Sequence, residues 1–510
     1  MKIRLHLPNI FKKIMQEEYI KLIFGLKLKQ VRASKDLSLF KLSKLTGLSK
    51  SYLNEIEKGK KYPKTDKIIL LAEALEIPYD EIVSLKLDKN LAPIAEILQS
   101  NLLQEIPLEL FGIEERDLIE IISNAPMKVN AFISTLIEIG NNYNLTKESF
   151  YLASLRSFQE ANDNYFPEIE QSAKVFLKEY LVNSDDYVTN EALEELLKEE
   201  YDYTIIYKDF KDLGAPELAK LRSIYIKEKH LLYINSTTDN DQKRFILAKE
   251  LGYNYLNLTE RLYTFSWASF ETFDQLLNNF YASYFAGALL LPEDKLLKDM
   301  QNLFALESHD LSKFQEILGK YTESPETVYQ RMTNLLPKHF NIRDLFFLRL
   351  STKVGSNSFK LTKELHLNQQ QSPQANETEE HYCRRWVSLN VLKELENQKD
   401  DHHEISAQIS IYPFNNNQKY YVISSATKDP FNPNYLRSVT IGVLYKSAQR
   451  KIKFMNDPQI PIREVAVTCE NCGMENCTNR AAEPTRFEKN IRSKRINVII
   501  NDFIKEENKV

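Results

Sequence analysis

The four cysteines of the 510-residue chain form one pattern, which constrains how its C-terminal third can fold. Cys469, Cys472 and Cys477 lie within nine residues of each other, and Cys383 is the only other cysteine. Cys469 and Cys472 share one tight turn, and the thiolate of Cys477 lies within reach of that turn. Cys383 has to come from across the domain. Four thiolates complete one coordination sphere for an iron–sulfur cluster or a tetrahedral zinc ion. A site of this kind would join the two ends of a domain.

The residues alone leave three interpretations of this pattern open. The thiolates could hold a four-iron, four-sulfur (4Fe–4S) cluster or a structural Zn²⁺, or they could be unliganded, redox-active thiols. His381 and the adjacent pair His402 and His403 could replace a ligand, although two histidines on a polar loop are more often solvated. Four cysteines are too few for a disulfide framework, and their metal-like spacing fits a reducing cytoplasm.

The length of the chain predicts several domains, because one hydrophobic core does not organise 510 residues. Only 12 glycines, with abundant Leu, Lys and Glu, favour an α+β chain that is mainly α. We predict five regions: a helix-turn-helix domain at 18–85, a helical connector or dimerisation region at 86–180, a zincin-like α+β domain at 181–350, a mixed α/β sensor domain at 381–486, and a basic tail at 487–510.

Strand signals fall only in the second half of the chain. The β-rich or alternating runs are residues 203–207, 230–234, 404–412, 420–424 and 438–445. A polar stretch at 368–380 is typical of a loop or linker.

The sequence predicts a cytoplasmic protein with no membrane partner. Residues 1–15 carry scattered Lys without a long apolar run, which is not the pattern of a signal peptide. The longest apolar stretch, residues 280–291, is too short to cross a bilayer.

Residues 42–59 have the mechanics of a helix-turn-helix. Gly47 supplies the tight turn, and Ser49 is a good N-cap for the second helix. Gly59 ends that helix, and Pro63 follows after a Lys-rich turn. Four apolar side chains are expected to pack the two helices together: Leu45, Leu48, Leu53 and Ile56. The alternative is a plain helical hairpin with a solvated basic face.

Charge favours DNA binding by this segment. Residues 21–67 hold twelve Lys and one Arg against two Asp and two Glu, inside a chain whose net charge is −4. The early recognition helix would present base-contacting side chains, and lysines after it would meet phosphates. The predicted DNA-binding residues are Ser49, Lys50, Ser51, Asn54, Lys58, Lys60, Lys61 and Lys64. The segment resembles the Cro/repressor-type (XRE) family, except at Leu39, where that family often has Gln.

Residues 241–253 resemble the zinc-binding helix of the ImmA/IrrE-type peptidase family. In that family His-Glu-x-x-His supplies two zinc ligands and a general base. Here the two histidine positions are Lys249 and Tyr253, and Glu250 alone is kept. Residues 282–292 match the second helix of the family, whose third ligand, a Glu, is Asn279 in this chain. All three ligands are replaced, so the sequence predicts a scaffold without peptidase activity.

The cysteine segment at 467–484, together with residues 381–386, resembles the sensor domain of the short-chain fatty-acyl regulator family. The order of the three domains also matches that family, which includes propionate and glyoxylate regulators. The resemblance implies coenzyme A or acyl-CoA binding and, as in some members, an iron–sulfur cluster. Cations, an aromatic wall and a narrow apolar pocket would hold an acyl-CoA. The candidates near the cysteines are Arg384, Arg385, Trp386 and Arg480.

Together these patterns predict a transcription factor that is not an enzyme. It would bind double-stranded DNA as a homodimer, with an acyl-CoA or a cluster as the signal that alters the fit to two half-sites. The dimer would form through the helical region 86–180. Two other classes stay open: a zinc-stapled DNA-binding or interaction protein without a small-molecule sensor, and a metallopeptidase, which the missing histidines oppose.

Overall fold

The computed structural model describes most of the chain. The described residues are 7–84, 147–181, 188–213, 218, 221–261, 272–322, 324–367, 381–397, 404–414, 417–429 and 432–507. Contacts divide the chain into two units, residues 1–154 and 155–510. Most of the predicted connector, residues 85–146, lies outside the described residues.

The first unit contains a bundle of five helices. They are Leu7–Ser34 (α1), Leu39–Thr46 (α2), Lys50–Glu57 (α3), Thr65–Ala74 (α4) and Tyr79–Val83 (α5). Their shared core includes Phe24, Leu42, Leu53, Ile56 and Leu71, all almost fully buried. Ser38 and Ser49 cap α2 and α3, because their side chains accept hydrogen bonds from Lys41 N and Tyr52 N.

Two glycines make the close packing of this bundle possible. Gly47 ends α2 with a left-handed φ of 70°, a conformation that costs a residue with a Cβ. Gly25 of α1 faces the end of α3, where an added Cβ would lie 2.2 Å from the carbonyl oxygen of Ile56. The long first helix is therefore part of the helix-turn-helix core.

The second unit begins with helices around a small sheet. Its helices up to residue 340 are Pro167–Tyr180 (α7), Asn190–Tyr201 (α8), Asn240–Tyr255 (α9), Phe273–Leu290 (α10), Glu293–Phe304 (α11), Leu311–Tyr321 (α12) and Pro325–Phe340 (α13). A further helix, Lys147–Ala161 (α6), precedes them. The sheet contains Thr204–Lys208 (β1), Ser223–Ile226 (β2) and Leu231–Asn235 (β3) in the order β1-β3-β2. The predicted strands near 203–207 and 230–234 are confirmed as β1 and β3.

A six-stranded sheet forms the rest of this unit. Its strands are Leu345–Lys353 (β4), Lys360–His366 (β5), Glu404–Tyr412 (β6), Gln418–Asp429 (β7), Asn432–Leu444 (β8) and Ile462–Glu464 (β9). Their order is β5-β4-β8-β7-β6-β9, antiparallel except for β6 and β9. The remaining helices are Val387–Asn397 (α14), Tyr445–Ala448 (α15) and Thr485–Glu507 (α16). The predicted strands at 404–412, 420–424 and 438–445 lie within this sheet, and the α+β class is confirmed.

Both faces of the large sheet are buried. Alternate residues of β4 point to opposite sides, so Phe346 packs toward α14 while Phe347 joins a core with α13. The helices from α11 to α13 thus share one core with the sheet, and α14 covers the other face.

The sequence predicts a boundary between the zincin-like domain, which ends at residue 350, and the sensor domain, which begins at residue 381. The large sheet already begins before this boundary, with β4 at Leu345. Strands β4 and β5 precede residue 367, yet β4 lies next to β8 in the centre of the sheet. Period-2 patterning does not mark β4, because a strand covered on both faces is apolar throughout. Its sequence, Leu-Phe-Phe-Leu-Arg-Leu, shows this.

One buried ion pair connects the helices of this unit. Arg331 of α13 donates two hydrogen bonds to the carboxylate of Glu170 on α7, at 2.5 and 2.7 Å. A third bond, of 3.1 Å, reaches the carbonyl oxygen of Leu291 after α10. Tyr284 of α10 donates to the same carboxylate at 2.7 Å. The Arg331 side chain is only 1% exposed, so these bonds compensate for its removal from water.

No described helix combines the length and apolar character needed to cross a membrane.

Arg331→Met should destabilise the protein by about 3–5 kcal/mol, because it leaves the Glu170 carboxylate buried without a cation. Urea unfolding followed by circular dichroism measures this as a lower midpoint. Arg343→Met is a matched control, since Arg343 is 62% exposed and pairs with Asp163 at the surface. Equal midpoints for the two variants would contradict the importance of the buried pair.

Candidate nucleic-acid interface and cysteine cavity

The recognition helix presents the predicted base-contacting residues on one exposed face. Ser49, Lys50, Ser51 and Asn54 are all exposed, while Leu53 and Ile56 are fully buried on the opposite side. Polar side chains at the start of a helix whose opposite face is buried are typical of a recognition helix that enters the major groove.

The predicted phosphate-contacting lysines follow this helix. Lys60, Lys61 and Lys64 are exposed and Lys58 is half-buried. Lys61 forms an ion pair of 2.9 Å with Glu55, whose hydrogen bond raises the lysine pKa. Lys60 and Lys64 therefore extend the exposed basic surface beyond α3, whereas Lys61 is paired with the Glu55 carboxylate.

An ion pair not predicted from the sequence holds α3 in place. Arg32 of α1 binds both carboxylate oxygens of Glu57 at 2.6 and 3.0 Å, and Glu57 is buried. The hydrogen bond to Glu57 raises the pKa of Arg32. The two residues are separated by a helix and two turns, so only the folded bundle pairs them.

The prediction that Leu45 packs between the two helices was wrong. Its side chain is 61% exposed, while Leu42, one turn earlier, is fully buried. The helix α2 is rotated so that Leu42 and Thr46 face the core. An apolar spacing of three or four residues fits either face of a short helix, so the sequence did not distinguish them.

The three replaced ligand positions of the peptidase-like helices do meet in the structure. Lys249 and Tyr253 of α9 both direct their polar atoms to Asn279 of α10, whose Oδ1 accepts from Lys249 Nζ at 2.6 Å and from the Tyr253 hydroxyl at 3.4 Å. Burial lowers the pKa of Lys249 to about 8, and the nearby charges of Arg222 and Lys363 act in the same direction. An amine thus lies where the related peptidases bind a metal ion.

Glu250, which occupies the general-base position of the family that this helix resembles, is held in an ion pair. It accepts a 2.7 Å hydrogen bond from Arg261 and a 3.1 Å bond from the Tyr203 hydroxyl. Burial raises its pKa, although Arg261 opposes that shift. The guanidinium also covers the rings of Tyr225 and Tyr253 at 4.3 and 4.7 Å. These contacts give Glu250 a structural role.

The four cysteines line one cavity. Residues 381–383 and 467–469 pair across the domain through hydrogen bonds from Cys383 N to Val467 O (3.1 Å) and from Cys469 N to His381 O (2.8 Å). The cavity has an empty volume of about 280 Å³, part of it open to solvent. Cys383, Cys469 and Cys472 are buried and Cys477 is half-buried. Burial raises the pKa of the Cys383 thiol.

The four thiols are the candidate ligands of this cavity. Among the described residues, no three His, Cys, Asp or Glu side chains are grouped as a single metal ion requires. His381 is engaged elsewhere, since its ring lies 2.8 Å from the Glu470 carboxylate.

Two of the predicted ligand-binding arginines support the cysteine loop. Arg480 donates to the carbonyl oxygens of Cys469 and Cys472 at 3.5 and 3.4 Å, and to that of Met474. Arg385 Nη1 lies 2.8 Å from the sulfur of Met474. Both line the cavity, so they add positive charge beside the thiols.

The other two predicted residues differ in accessibility. Arg384 also lines the cavity, donates a 2.6 Å bond to Asn357 O and lies 4.6 Å above the ring of Phe359. Trp386 is 5% exposed, stacks on Tyr382 and donates to Ala466 O at 2.8 Å. Trp386 is therefore a core residue.

A second cavity, not predicted from the sequence, is lined in part by Trp386. It lies between the sheet and the start of α14 and is partly open to solvent. Its lining combines apolar side chains with hydroxyls: Phe346, Leu348, Trp386, Val387, Ser388, Ser410, Tyr412, Val422 and Thr440. These residues come from five separate segments, so only the folded sheet assembles the cavity.

Comparison with known proteins agrees with two of the domains. Residues 28–82 match the helix-turn-helix family, and residues 199–333 match the IrrE N-terminal-like domain family. A propionyl-CoA carboxylase regulator from Cereibacter sphaeroides is 24% identical over 352 residues, which is 65% of this chain and 68% of the relative. A Mycobacterium tuberculosis transcriptional regulator of known structure is 17% identical, with a TM-score of 0.45 over 65% of this chain and 93% of its own. The chain thus joins a DNA-binding helix-turn-helix domain to an IrrE-like domain, as a transcriptional regulator does.

The buried amine should make stability depend on pH. The pKa of Lys249 is about 8 in the folded chain and 10.5 in its ordinary state, so the unfolded chain binds the proton more tightly. The free energy of unfolding should therefore rise between about pH 8 and pH 10, by on the order of 3 kcal/mol.

Urea unfolding over this pH range measures the rise, and Lys249→Met should remove most of it. Lys198→Met, at a lysine that is 49% exposed, should keep the wild-type slope. A Lys249→Met slope equal to that of the wild type would show that the amine is not desolvated.

Proposed function

We propose that the chain is a sequence-specific transcriptional regulator whose C-terminal part senses a short-chain acyl-CoA and holds an iron–sulfur cluster. The observation that carries the proposal is the convergence of four cysteines from two distant segments on one cavity. The recognition helix α3 of the first unit would bind DNA, and the cysteine cavity would bind the group that regulates this binding.

The charges at the cavity favour an anionic occupant. Arg384, Arg385 and Arg480 all line it, and no carboxylate is among its lining residues. A cluster ligated by four thiolates carries net negative charge, which neighbouring cations and hydrogen bonds stabilise. Cys383, Cys469, Cys472 and Cys477 would hold the cluster, which would supply a redox-sensitive or iron-sensitive group.

An acyl-CoA would use the same region differently. Its phosphates require cations, for which Arg384 is one candidate at the cysteine cavity. Its acyl group requires a small apolar pocket with a few polar groups, and the side chains that line the second cavity, among them Phe346, Val422 and Ser410, are of these types. The name of the Cereibacter sphaeroides relative agrees with an acyl-CoA as the relevant metabolite.

The IrrE-like part would act as a scaffold and not as an enzyme. Lys249 and Arg261 occupy the space around Glu250 with fixed positive charge, which opposes the binding of a metal cation. Regulation would follow from linkage: an effector that binds one conformation more tightly shifts the chain toward it and changes DNA affinity. A DNA-binding protein with reduced thiols would act in the cytoplasm.

A zinc-stapled regulator without a small-molecule sensor is the second candidate. The same four thiolates favour it, because they can close around Zn²⁺ by small movements of the cysteine loop. Metal analysis separates the two.

Two substitutions test DNA binding by the recognition helix α3 and the lysines that follow it. Asn54→Ala should lower discrimination between operator and unrelated DNA by about 1–3 kcal/mol, since it removes a base contact. Lys60→Ala should weaken binding to all sequences and reduce the salt slope by about one. Operator sites selected from a random library, followed by fluorescence anisotropy at several salt concentrations, provide both measurements.

Lys313→Ala serves as the control, because Lys313 is an exposed lysine on α12 of the second unit. If Asn54→Ala and Lys60→Ala both bind like the wild type, α3 does not read DNA.

Protein purified without oxygen should contain about four irons per chain and show a broad visible absorption band. Cys472→Ser should lose the band, because it removes one of four ligands. Asn471→Ala, next to it on the same loop, should keep the band. Stoichiometric zinc in place of iron would support the second candidate, and protein without either metal would contradict both.

Calorimetry with acyl-CoAs of increasing chain length tests the effector half of the proposal. A short-chain acyl-CoA should bind and change the operator affinity of the wild type. Arg384→Ala should weaken acyl-CoA binding while operator affinity without effector stays unchanged. Operator affinity that no acyl-CoA alters would reject the sensor and leave the cluster result standing.

A further inference from the structure

The last helix, α16, projects from the body of the second unit. Its first turn is fixed, because the backbone N–H groups of Arg486 and Phe487 donate to Glu470 O at 3.1 and 3.0 Å. The Phe487 ring also packs against Phe414, with 5.3 Å between the ring centroids. Beyond this anchor every residue from 488 to 505 is exposed, a length of about 27 Å at 1.5 Å per residue.

One face of this exposed helix is apolar. Ile496, Ile499, Ile500, Phe503 and Ile504 follow the spacing of three and four residues that places side chains on one side of a helix. Each is between 48% and 61% exposed. Burying such side chains stabilises a structure, because their apolar surface leaves water. Five of them on one solvated stripe indicate a surface that another element covers.

The charges along α16 indicate what covers it. The first half carries Arg486, Lys489, Arg492, Lys494 and Arg495 against a single acidic residue, Glu488. The second half carries Asp502 and, in the sequence, ends with two glutamates, against Lys505 alone. Two copies of this helix laid antiparallel would bring the basic half of each next to the acidic half of the other. A parallel pair would place like charges together.

We infer that α16 is the dimerisation element of this protein and pairs with α16 of a second copy in an antiparallel arrangement. With the two-fold axis between residues 499 and 500, Ile499 lies opposite Ile500 of the second copy and Ile496 opposite Phe503. A self-complementary patch of this kind forms the closed, two-fold interface that most homodimers use.

A dimer through α16 is an alternative to the expected dimer through the region 86–180, most of which lies outside the described residues. It does not depend on an acyl-CoA or a cluster. Anionic lipid is the other partner that a helix with basic residues and an apolar stripe can bind. The acidic second half, which carries most of the stripe, disfavours it.

Phe503→Glu tests the interface in the full-length chain. The wild type should sediment as a dimer of the 59.7 kDa chain, and Phe503→Glu should halve the measured mass. Ile499→Glu should do the same, which guards against a local effect of one substitution. Val498→Glu is the matched control: it makes the same kind of change at a 58% exposed residue on the opposite face, and should leave the dimer intact.

All three variants should keep the thermal midpoint of the second unit, because the changed residues are exposed. A monomeric wild type, or a Phe503→Glu protein that remains dimeric, would overturn the inference. A monomer that co-sediments with anionic phosphatidylserine vesicles and is released by Phe503→Glu would assign the stripe to a membrane surface instead.

Discussion

The buried pair between Arg331 and Glu170 is the contact on which the second unit depends. Arg331 lies on α13, whose opposite side packs against the six-stranded sheet, where Tyr329 contacts Ser425 at 2.9 Å. Glu170 lies on α7, which packs with α10 in the core of the IrrE-like region. One helix therefore packs in the core beside the sheet and is hydrogen-bonded to a helix of the other core. A charge pair so far from water is tolerated only because both partners are fully hydrogen-bonded, which fixes the relative position of their helices.

The IrrE-like region shows how a catalytic fold can persist without its chemistry. Its helices α9 and α10 still bring together the three positions at which related peptidases bind zinc. Here Lys249, Tyr253 and Asn279 form hydrogen bonds with one another. A protonated amine and the Arg261 guanidinium provide the positive charge that Glu250 needs in a buried site. Side chains thus balance the buried charge of Glu250.

The cysteine cavity shows how far spacing alone can predict a site. The sequence indicated that Cys383 would join the other three from across a domain, and the paired segments at 381–383 and 467–469 bring them together. The helix-turn-helix was predicted equally well, because Ser49, Gly47 and the buried Leu53 and Ile56 obey local rules. What occupies the cysteine cavity is a question of metal chemistry that spacing does not answer.

By itself the sequence determined the features that depend on near neighbours. These are the capped recognition helix, the loss of the His-Glu-x-x-His ligands, the amphipathic strands β6 to β8 and the cysteine spacing. Only the tertiary structure decided that β4 joins the sheet, that Arg32 meets Glu57, that Leu45 faces solvent and that Trp386 lines a second cavity. The reason is physical: capping, helical period and turn chemistry act over a few residues. Burial, ion pairing and cavity formation depend on which distant segments pack together, and no local pattern encodes that choice.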